Sequence, residues 1–473
     1  MAQAFVLSFA EGVTVEARSS DCVVIEMPVT YKQYTFKGLS TGLRQAIDTL
    51  SSTGATEEDL ARVVQETDGT SSLSRLYYYL MIFAERRVLS YSIFNGGHSL
   101  ATLSPSSDSF RFAPAPVDPR ARYTLSRFAY LHREREGMVL ESPLTHGRII
   151  LHGWEGAAVA TELAEPRTLE SLWNGLPSVP RDAVARFLEM FLGAGFLSEL
   201  KPGELHPGES EALAQWEFHD LLFHTRSRMG RHARPFGGTY RFYTRIEPLP
   251  ATKKLDAPAE TVDLYRPDMN TLEQEDFPFT LVLEERKSIR EYGERPITDR
   301  QLGEFLYRSA RVKDLVRTEF QELSSRPYPG AGAIYELELY LSVHSCENLA
   351  PGLYHYCPKD HRLEKICGLT ETVEALLKDA AGSAGIDDRP PQVLLTIAAR
   401  FQRLSWKYES LAYSLLLKDV GVLYQTMYLV ATAMDLAPSA IGGGNSDLFT
   451  QAAGIDYYAE TSVGEFLLGS KRI

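Results

Sequence analysis

The stretch of sequence that decides the fold covers residues 285–307 and reads ERKSIREYGERPITDRQLGEFLY. Its first part places two guanidinium groups, Arg286 and Arg290, on either side of the hydroxyl of Ser288 at alternate positions. Forked guanidinium donors together with a hydroxyl suit a terminal phosphate monoester. The spacing alone fits a solvated basic patch near a helix end equally well. We predict a phosphate-binding segment here, with that patch as the alternative.

The second part of the stretch predicts the start of a helix. Thr298 is placed to cap it, and Gln301 can reach back to complete a capping box. Ile297 can pack on Leu302 as a hydrophobic staple. A helix therefore begins close to Thr298.

The rest of the C-terminal half alternates helix and strand. Residues 337–343 and 392–398 are short runs rich in apolar and β-branched residues, which are typical of strands. Residues 411–436 are apolar almost all round and predict a central helix buried on every side. The predicted fold class is α+β, arranged in layers.

An internal repeat precedes this domain. The segment VIEMPVT at residues 24–30 aligns with VLESPLT at residues 139–145. Each copy predicts strands, then two or three helices, then a strand. In the second copy, apolar residues at helical spacing between residues 182 and 192 are followed by Gly195, which is placed to end the helix in a left-handed conformation. Both copies are typical of winged-helix modules.

Breaks in composition divide the chain. Residues 104–120 are rich in Ser, Pro and Ala and predict a linker, and KPGELHPGESE after Leu200 predicts a second break. The predicted regions are a first winged-helix-like module (1–103), a second one (121–203), an aromatic and basic linking segment (204–261) and the C-terminal domain (262–473).

The aromatic and basic segment offers weak candidates only. His219 and His224 are five residues apart, which does not place two ligands on one helix face, so we predict no metal site. The arginines between Arg226 and Arg234 either contact an acidic partner peptide or form a solvated face, and the second reading is favoured.

Length and charge limit the function classes. The chain has 473 residues, and about 100–200 residues per domain gives two to four domains. The formal net charge of −13 argues against general nucleic-acid binding and against anionic membranes. The N-terminus lacks the basic region of a secretory signal, and the four widely spaced cysteines form neither a zinc knuckle nor a disulfide framework. We expect a cytoplasmic protein without a membrane span.

Two glycine-rich loops let the backbone approach a planar ligand. One is Pro329-Gly330-Ala331-Gly332 and the other is the IGGGN segment that contains Gly442 and Gly443. Each is weak evidence by itself, because most such loops are ordinary connections. No phosphate-cradling GxxxxGK[ST] motif is present.

A further candidate is SWKYE at residues 405–409, at the start of the apolar helix. Ser405 is a candidate N-cap, which would place Lys407 and Tyr408 in the first helical turn. The helix dipole and the neighbouring ammonium would both favour the phenolate form of Tyr408, a competent base for a carbon acid. The alternative is a surface lysine beside a packed tyrosine.

These segments, taken in order, carry a resemblance. From about residue 264 to 473 the sequence resembles the nitroreductase-like flavoproteins, and among them the azoline oxidases (thiazole/oxazole-forming dehydrogenases) of ribosomal peptide pathways. The two N-terminal copies are similar to those of the longer members from cyanobactin-type pathways. The motifs are ERKSIREYGERPITDRQLGEFLY, YPGAGAIYELELYL, LAPGLYHY, SWKYESLAYSLLLKDVGVLYQTMYLVATAMDL, IGGGNSDLF and, for the longer members, WEFHDLLFHTRSRMGRH.

The resemblance implies that FMN is the cofactor. The residues that would hold its phosphate are Arg286, Ser288 and Arg290, with Lys471 or Arg472 as a further contact. The residues whose backbone would approach the isoalloxazine ring are Pro329, Gly330, Ala331 and Gly332 on one side and Gly442 and Gly443 on another. The loop usually written Pro-Ser-Gly-Gly is Pro-Gly-Ala-Gly here, so the hydroxyl contact expected after the proline is absent.

The resemblance also implies a reaction. Lys407 and Tyr408 match the family's catalytic Lys-Tyr pair. Tyr408, as a phenolate beside Lys407, would remove the α-proton of a thiazoline or oxazoline in a precursor peptide. The ring β-carbon would then give hydride to flavin N5, and oxygen would reoxidise the flavin. The family's intertwined homodimer, with the flavin at the interface, agrees with the apolar helix predicted at residues 411–436.

Alternatives remain open at this point. The N-terminal modules either clasp a leader peptide as an added strand or complete the dimer and the wall of the active site. Two other functions are an NAD(P)H-dependent reductase of nitro compounds or quinones, and a non-catalytic binding protein. The Lys-Tyr pair and the N-terminal repeat argue against the reductase. The acidic charge and the intact phosphate-binding triplet argue against the binding protein.

Overall fold

The structure, a computed structural model, describes residues 4–27, 32–135, 137–200, 209–232, 234–256, 258–386 and 389–472. The chain forms two compact units, Met1–Pro235 and Phe236–Ile473. Their division falls inside the predicted 204–261 segment. Most of the predicted break after Leu200 and the last three residues of the first repeat copy lie outside the described residues.

The first unit mixes strands and helices. Its strands are β1 (Val6–Phe9), β2 (Thr14–Ser19), β3 (Cys22–Met27), β4 (Lys32–Lys37), β5 (Ala55–Thr56), β6 (Leu89–Asn95), β7 (His98–Pro105), β8 (Arg122–Leu125), β9 (Tyr130–Glu134), β10 (Gly137–Glu141), β11 (Gly147–Leu151) and β12 (Leu197–Leu200). Its helices are α1 (Thr41–Ser52), α2 (Glu57–Asp68), α3 (Leu73–Glu85), α4 (Gly153–Glu162), α5 (Leu169–Gly175), α6 (Arg181–Gly193), α7 (Glu211–Ala214) and α8 (Phe218–Arg226), with a 3-10 turn at Thr70–Ser72.

The predicted repeat is confirmed. Module 1 comprises the antiparallel strands β2, β3 and β4 followed by α1 to α3, and module 2 comprises β9, β10 and β11 followed by α4 to α6. The aligned segments lie on or after the middle strands, β3 and β10. In module 2, α6 ends as predicted, because Gly195 adopts a φ of 81°. The apolar residues predicted for one face of α6 are all fully buried: Val184, Phe187, Leu188 and Phe191.

The two modules differ at the outer edge of their third strand. In module 2, β11 pairs antiparallel with β7, with Leu151 opposite Ala101. This pairing produces a sheet of order β5-β1-β6-β7-β11-β10-β9. In module 1, β4 pairs with β3, and its other edge has no partner strand among the described residues.

The predicted linker at residues 104–120 is only partly a linker. Residues 104 and 105 belong to β7, and Phe110 is buried in the core of module 2. An aromatic side chain within a Ser- and Pro-rich stretch is enough to anchor it, because burying one such side chain contributes about 1.5–3 kcal/mol.

The second unit is built around a seven-stranded sheet of its own. Its strands are β13 (Gly237–Gly238), β14 (Glu260–Asp263), β15 (Asp314–Arg317), β16 (Glu322–Ser325), β17 (Leu337–Val343), β18 (Gly352–Cys357), β19 (Arg362–Cys367), β20 (Val393–Arg400), β21 (Tyr408–Glu409), β22 (Leu436–Ile441) and β23 (Glu460–Ser470). Its helices are α9 (Met269–Glu275), α10 (Phe279–Glu285), α11 (Asp299–Ala310), α12 (Glu371–Ala384), α13 (Phe401–Ser405), α14 (Ala412–Ala433) and α15 (Ser446–Ala453), with a 3-10 turn at Ala331–Ala333.

The central sheet of this unit has the order β14-β19-β18-β17-β20-β23-β22 and is covered on both faces. Alternate residues of β17 point to opposite layers, as the pleat requires. Leu339 and Leu341 pack with α11 and α14, whereas Tyr340 packs with α12 and α15. The layered α+β architecture predicted from the sequence is confirmed.

The predicted start of α11 is confirmed, and the predicted burial of the apolar helix is wrong. Thr298 caps α11 and forms the capping box with Gln301, as predicted. The apolar helix predicted at residues 411–436 is α14, but it is not buried on every side. Tyr413 is 48% exposed and Leu417 is 41% exposed, on a side of the helix that also carries the exposed Lys418, Gly421 and Gln425.

Two further observations concern the helices and the cysteines of the described residues. No helix among the described residues has both the length and the apolar character needed to cross a bilayer. Cys22, Cys346, Cys357 and Cys367 are free thiols.

Candidate active site

The predicted Lys407-Tyr408 pair lies at the start of a short strand and not in a helix, with Lys407 in the preceding turn. Ser405 is the last residue of α13, and α14 begins only at Ala412, so the prediction that Ser405 caps the apolar helix is wrong. Tyr408 belongs to β21, which pairs antiparallel with β13 through Gly238. The helix dipole therefore does not act on Tyr408, and the neighbouring ammonium of Lys407 remains as the local source of positive charge.

The predicted loop at residues 329–332 meets this pair. Gly332 adopts a φ of 59°, which L-residues rarely adopt. A Cβ atom at Gly332 would lie 2.5 Å from Tyr408 Oη and 3.1 Å from Lys407 Nζ. Only glycine lets the loop come this close, so the structure brings together two segments that are about 75 residues apart in the chain.

The ammonium of Lys407 is held between aromatic rings. Its Nζ lies 5.1 Å from the ring centroid of Tyr408 and 5.6 Å from that of Tyr240. Both distances are within the range of a cation–π contact. Among the described residues, no carboxylate forms an ion pair with Lys407.

The loop at residues 329–332 is anchored by the buried carboxylate of Asp419, which has a second buried acid, Glu336, as its neighbour. The amide of Ala331 donates to Asp419 Oδ2 at 2.8 Å. Glu336 is fully buried, and burial together with the neighbouring Asp419 raises the pKa of Glu336 to about 8. Burial also raises the pKa of Asp419. At neutral pH, Glu336 is therefore protonated, whereas Asp419 accepts the hydrogen bond of the Ala331 amide.

The predicted phosphate segment follows the end of α10. Ser288 Oγ lies 2.7 Å from the hydroxyl of Tyr428, which accepts a hydrogen bond from the amide of Ala440 at 2.7 Å. The Tyr428 proton is thus free to go to Ser288, which leaves the Ser288 proton for a ligand. The guanidinium of Arg286 lies 5.4 Å from the ring centroid of Tyr428. Arg286 and Arg290 form no ion pair among the described residues.

The two C-terminal cations have different surroundings. Lys471 Nζ pairs with Asp435 at 2.6 Å, and Arg472 pairs with Glu291 at 3.5 Å. Arg472 and Arg290 line the same cavity of about 540 Å³. Carboxylates already neutralise both C-terminal cations, so they offer less to a phosphate than the Arg286–Arg290 segment does.

The second glycine-rich loop is open. A Cβ atom at Gly442 or Gly443 would meet nothing within 4 Å. Gly444, which the sequence analysis did not single out, is the crowded one, because a Cβ there would overlap the carboxylate of Glu465. Among the described residues, no contact joins Gly442 or Gly443 to the other predicted site residues.

The donor set fits FMN. Two guanidiniums that form no ion pair among the described residues and an available hydroxyl match a phosphate dianion, and the loop at 329–332 brings its glycine backbone beside Lys407 and Tyr408. Helix α14 connects the two places: Asp419 contacts the loop and Tyr428 contacts Ser288. Nine residues of helix separate these contacts by about 14 Å.

Sequence reasoning missed several residues that shape this site. Asp419 and Tyr428 lie within the apolar helix α14, where a single polar residue carries no signal of a function. Gly238 and Tyr240 lie in the segment interpreted as a linker. The FGGTYRFY run was the available signal, since paired glycines beside aromatic residues indicate a close approach of two backbones.

Among the arginines between residues 226 and 234, Arg228 and Arg231 are exposed, as the favoured solvated face predicts, whereas Arg226 and Arg234 form ion pairs within the first unit. Arg226 and Arg234 pair with Glu141, whose side chain is buried in the first unit. Burial alone would raise the pKa of this carboxyl, but Arg226 and Arg234 outweigh burial and lower the pKa of Glu141 to about 2. These arginines are internal ion-pair partners.

Comparison with known proteins identifies the class. The nitroreductase family profile matches residues 283–469. A "putative nitroreductase" of Methanocaldococcus jannaschii is 32% identical over 183 residues, which cover 39% of this chain and 85% of that protein. The chain belongs to the nitroreductase family and is an oxidoreductase, as predicted.

The N-terminal unit defines the type within that family. Profiles described as the ThcOx helix turn helix domain and as cyanobactin oxidase ThcOx match residues 1–113 and 123–233. The predicted cyanobactin-oxidase type is thereby confirmed. The microcin B17-processing protein McbC of Escherichia coli is 27% identical over 135 residues, and the match spans 28% of this chain and about half of McbC, 49%.

Solved structures with a similar fold include two relevant cases. A "putative nitroreductase" from Ralstonia eutropha is 19% identical, with a TM-score of 0.36, covering 48% of this chain and all of that one. A chain of the E. coli microcin synthetase McbBCD complex with truncated pro-MccB17 bound is 20% identical, with a TM-score of 0.35, covering 56% of this chain and 95% of that one.

Proposed function

We propose that this protein oxidises thiazoline or oxazoline rings in a ribosomally made peptide to thiazoles or oxazoles. The observation that carries the proposal is the close approach of Gly332 to Tyr408 and Lys407, where an added Cβ would lie 2.5 Å from Tyr408 Oη and 3.1 Å from Lys407 Nζ, because it assembles a base, a cation and a glycine backbone at one place. The similarity to cyanobactin oxidase and to a microcin-processing protein supports a peptide substrate.

The proton step belongs to Tyr408 and Lys407. The α-proton of an azoline is acidic, because the adjacent C=N and carbonyl groups delocalise the resulting negative charge. Tyr408 Oη removes it as a phenolate, and the ammonium of Lys407 stabilises that phenolate.

FMN is the proposed cofactor, and when bound it supplies the acceptor for the two electrons of the oxidation. Arg286, Ser288 and Arg290 hold its phosphate, because their donors are available, whereas Lys471 and Arg472 make a secondary contribution through their positive side-chain charges. The loop from Pro329 to Gly332 presents its backbone to the ring system, and Gly442 and Gly443 stay predicted contacts.

The proposed peptide site is the free edge of β4 in module 1. An extended peptide adds to an exposed sheet edge through main-chain hydrogen bonds. Module 2 supports this assignment, because its equivalent edge, on β11, is already covered by β7. In module 2, β7 thus occupies the edge that an added peptide strand would occupy on β4 of module 1.

A proline scan along β4 tests the peptide site. Neighbouring strand residues direct their N–H groups to opposite edges, so prolines at alternate positions between Lys32 and Lys37 should abolish binding of a synthetic precursor peptide without unfolding module 1. The same scan on β11 should unfold module 2 at every position. Peptide titration and circular dichroism measure the two effects. Undiminished binding throughout the β4 scan would assign the modules a structural role.

The exposed side of α14 supports a homodimer. Tyr413 and Leu417 lie on it, and large apolar side chains exposed on a central helix are expected to be buried in an assembly. Light scattering should give twice the mass of the chain, and Leu417→Asp should shift it to the monomer.

Tyr408→Phe tests the reaction. The purified variant should retain FMN, measured by absorbance, but lose azole formation by about 10³-fold, since the base is gone. Mass spectrometry follows the loss of about 2 Da per ring, two hydrogen atoms. Tyr458→Phe, at a tyrosine that is 85% exposed, is the matched control. Oxidation by Tyr408→Phe at the parental rate would refute the role of this base.

A reductase function is the second candidate, favoured by the similarity to the M. jannaschii protein. Rapid anaerobic bleaching of the flavin absorbance by NADPH would support it, and azoline oxidation without NADPH would decide against it.

A further inference from the structure

The segment after the first unit forms a wall of the active site. Gly238 pairs with Tyr408, and the amide of Tyr240 donates to the carbonyl of Lys407 at 3.1 Å. Thr239 Oγ1 donates to Glu409 Oε2 at 3.0 Å, and Arg241 pairs with Glu409 at 3.7 Å. The carboxylate of Glu409, the residue next to Lys407 and Tyr408, is thus paired with Arg241.

The ring of Tyr240 is fixed from two sides. It packs on Phe320 with centroids 4.6 Å apart and on Trp406 with centroids 5.9 Å apart, edge to face. Trp406 is buried and its Nε1 donates to the carbonyl of Ile246 at 2.6 Å. These contacts hold the Tyr240 ring in one orientation. The Nζ atom of Lys407 lies 5.6 Å from the centroid of that ring.

The backbone at Tyr240 is strained. Its φ is 52°, in the left-handed region that residues with a Cβ rarely adopt. Glycine would satisfy this turn at lower cost, so the presence of tyrosine indicates that the ring has a use there.

We infer that Tyr240 is a positioning residue, which holds the ammonium of Lys407 against Tyr408 through its ring face. A carboxylate would also hold the ammonium, but it would cancel the positive charge that favours the phenolate. An aromatic face attracts the cation through its quadrupole and adds no net charge. This inference rests on the proposed azoline oxidation.

Three variants separate this role from a merely structural one. Tyr240→Leu removes the ring, Tyr240→Phe keeps it, and Tyr243→Leu removes a neighbouring ring that packs on Phe320 and Trp406. Tyr240→Leu should lower kcat for azoline oxidation about fivefold to tenfold at neutral pH, with KM changed less than about twofold. Its rising pH limb should move to higher pH, because the phenolate loses part of its stabilisation. Tyr240→Phe should restore turnover and profile, and Tyr243→Leu should leave the profile in place.

A measurement without turnover tests the same geometry. Reductive ¹³C-methylation keeps the charge on lysine, and the methyl signal of Lys407, assigned from its loss in Lys407→Arg, should show an upfield ring-current shift. Tyr240→Leu, or Tyr240→Met if the first variant does not fold, should reduce that shift. An unshifted signal in the parent protein, or an unmoved pH limb in a folded Tyr240→Leu, would overturn the inference. Absence of azoline oxidation by the parent protein would instead refute the proposed function.

Discussion

The two glycine-rich loops of the second unit look alike in sequence and differ in their surroundings. At Gly332 an added Cβ would lie 2.5 Å from Tyr408 Oη, whereas at Gly442 and Gly443 it would meet nothing within 4 Å. The first loop is also anchored, because Ala331 donates to Asp419. The same composition therefore produces one loop that is fixed against Lys407 and Tyr408 and one that is open.

The basic residues of the predicted phosphate site show the same contrast. Arg286 and Arg290 form no ion pair among the described residues, whereas Lys471 and Arg472 already pair with carboxylates. The two glycine-rich loops look alike in sequence, and so do the two groups of basic residues. In the structure they differ in the neighbours that they already contact. The following experiments test this comparison.

The largest difference is expected between the two loops. Gly332→Ala should lower kcat for azoline oxidation about 100-fold, because its Cβ displaces Tyr408 and Lys407 by about an ångström. Gly443→Ala should lower kcat less than about threefold, since it meets no atom. Gly382→Ala, at an open position of α12, is the neutral control. Equal losses at Gly332 and Gly443 would break the comparison.

The cations should differ in FMN affinity. Arg286→Ala and Arg290→Ala should each weaken FMN binding about 10- to 100-fold, the effect of losing a charge-assisted hydrogen bond. Arg472→Ala should weaken it less than about threefold, because a phosphate there competes with Glu291. Quenching of flavin fluorescence on titrating the apoprotein measures both. A larger loss for Arg472→Ala than for Arg286→Ala would reverse the assignment.

The acids beneath the first loop predict a pH-dependent stability. The pKa of Glu336 is raised from 4.5 to about 8 in the folded protein, mainly by burial and then by Asp419. The folded state thus holds a proton that the unfolded chain releases above pH 4.5. The stabilisation from that proton is complete below pH 4.5 and is lost as the pH rises towards 8.

Glu336→Gln removes this dependence. Tm of the parent protein should fall by about 3 °C or more between pH 5 and 8 relative to that of Glu336→Gln. The difference between the two proteins removes the contributions of other titrating groups and reports Glu336 together with its neighbour Asp419. Parallel Tm curves would mean that Glu336 is ionised in the folded state.

The smallest effect is expected at the one crowded glycine of the open loop. Gly444→Ala should lower the free energy of unfolding by about 1 kcal/mol, because the end of the Glu465 side chain has to move. Gly443→Ala should leave it within about 0.5 kcal/mol. Denaturant unfolding of both variants compares them directly, and equal values would show that Glu465 moves freely.

Local structure was predictable wherever neighbouring residues decide it. The capping box of α11, the strand at Leu337–Val343, the repeat of two modules and the apolar face of α6 all follow from short sequence patterns. The predictions failed where distant segments compete. Ser405 ends a short helix because β13 pairs with Tyr408 and Glu409, and the α14 face at Tyr413 and Leu417 stays uncovered in the single chain.

The sequence by itself determined the class of protein, the order of its modules and the residues able to bind phosphate or remove a proton. These properties depend on residue type and short spacing, which the chain carries in any conformation. Only the tertiary structure decided which glycine lies against Tyr408, which cations are already paired and that Tyr240 faces Lys407. Those properties depend on distances between segments far apart in the chain, and packing sets such distances.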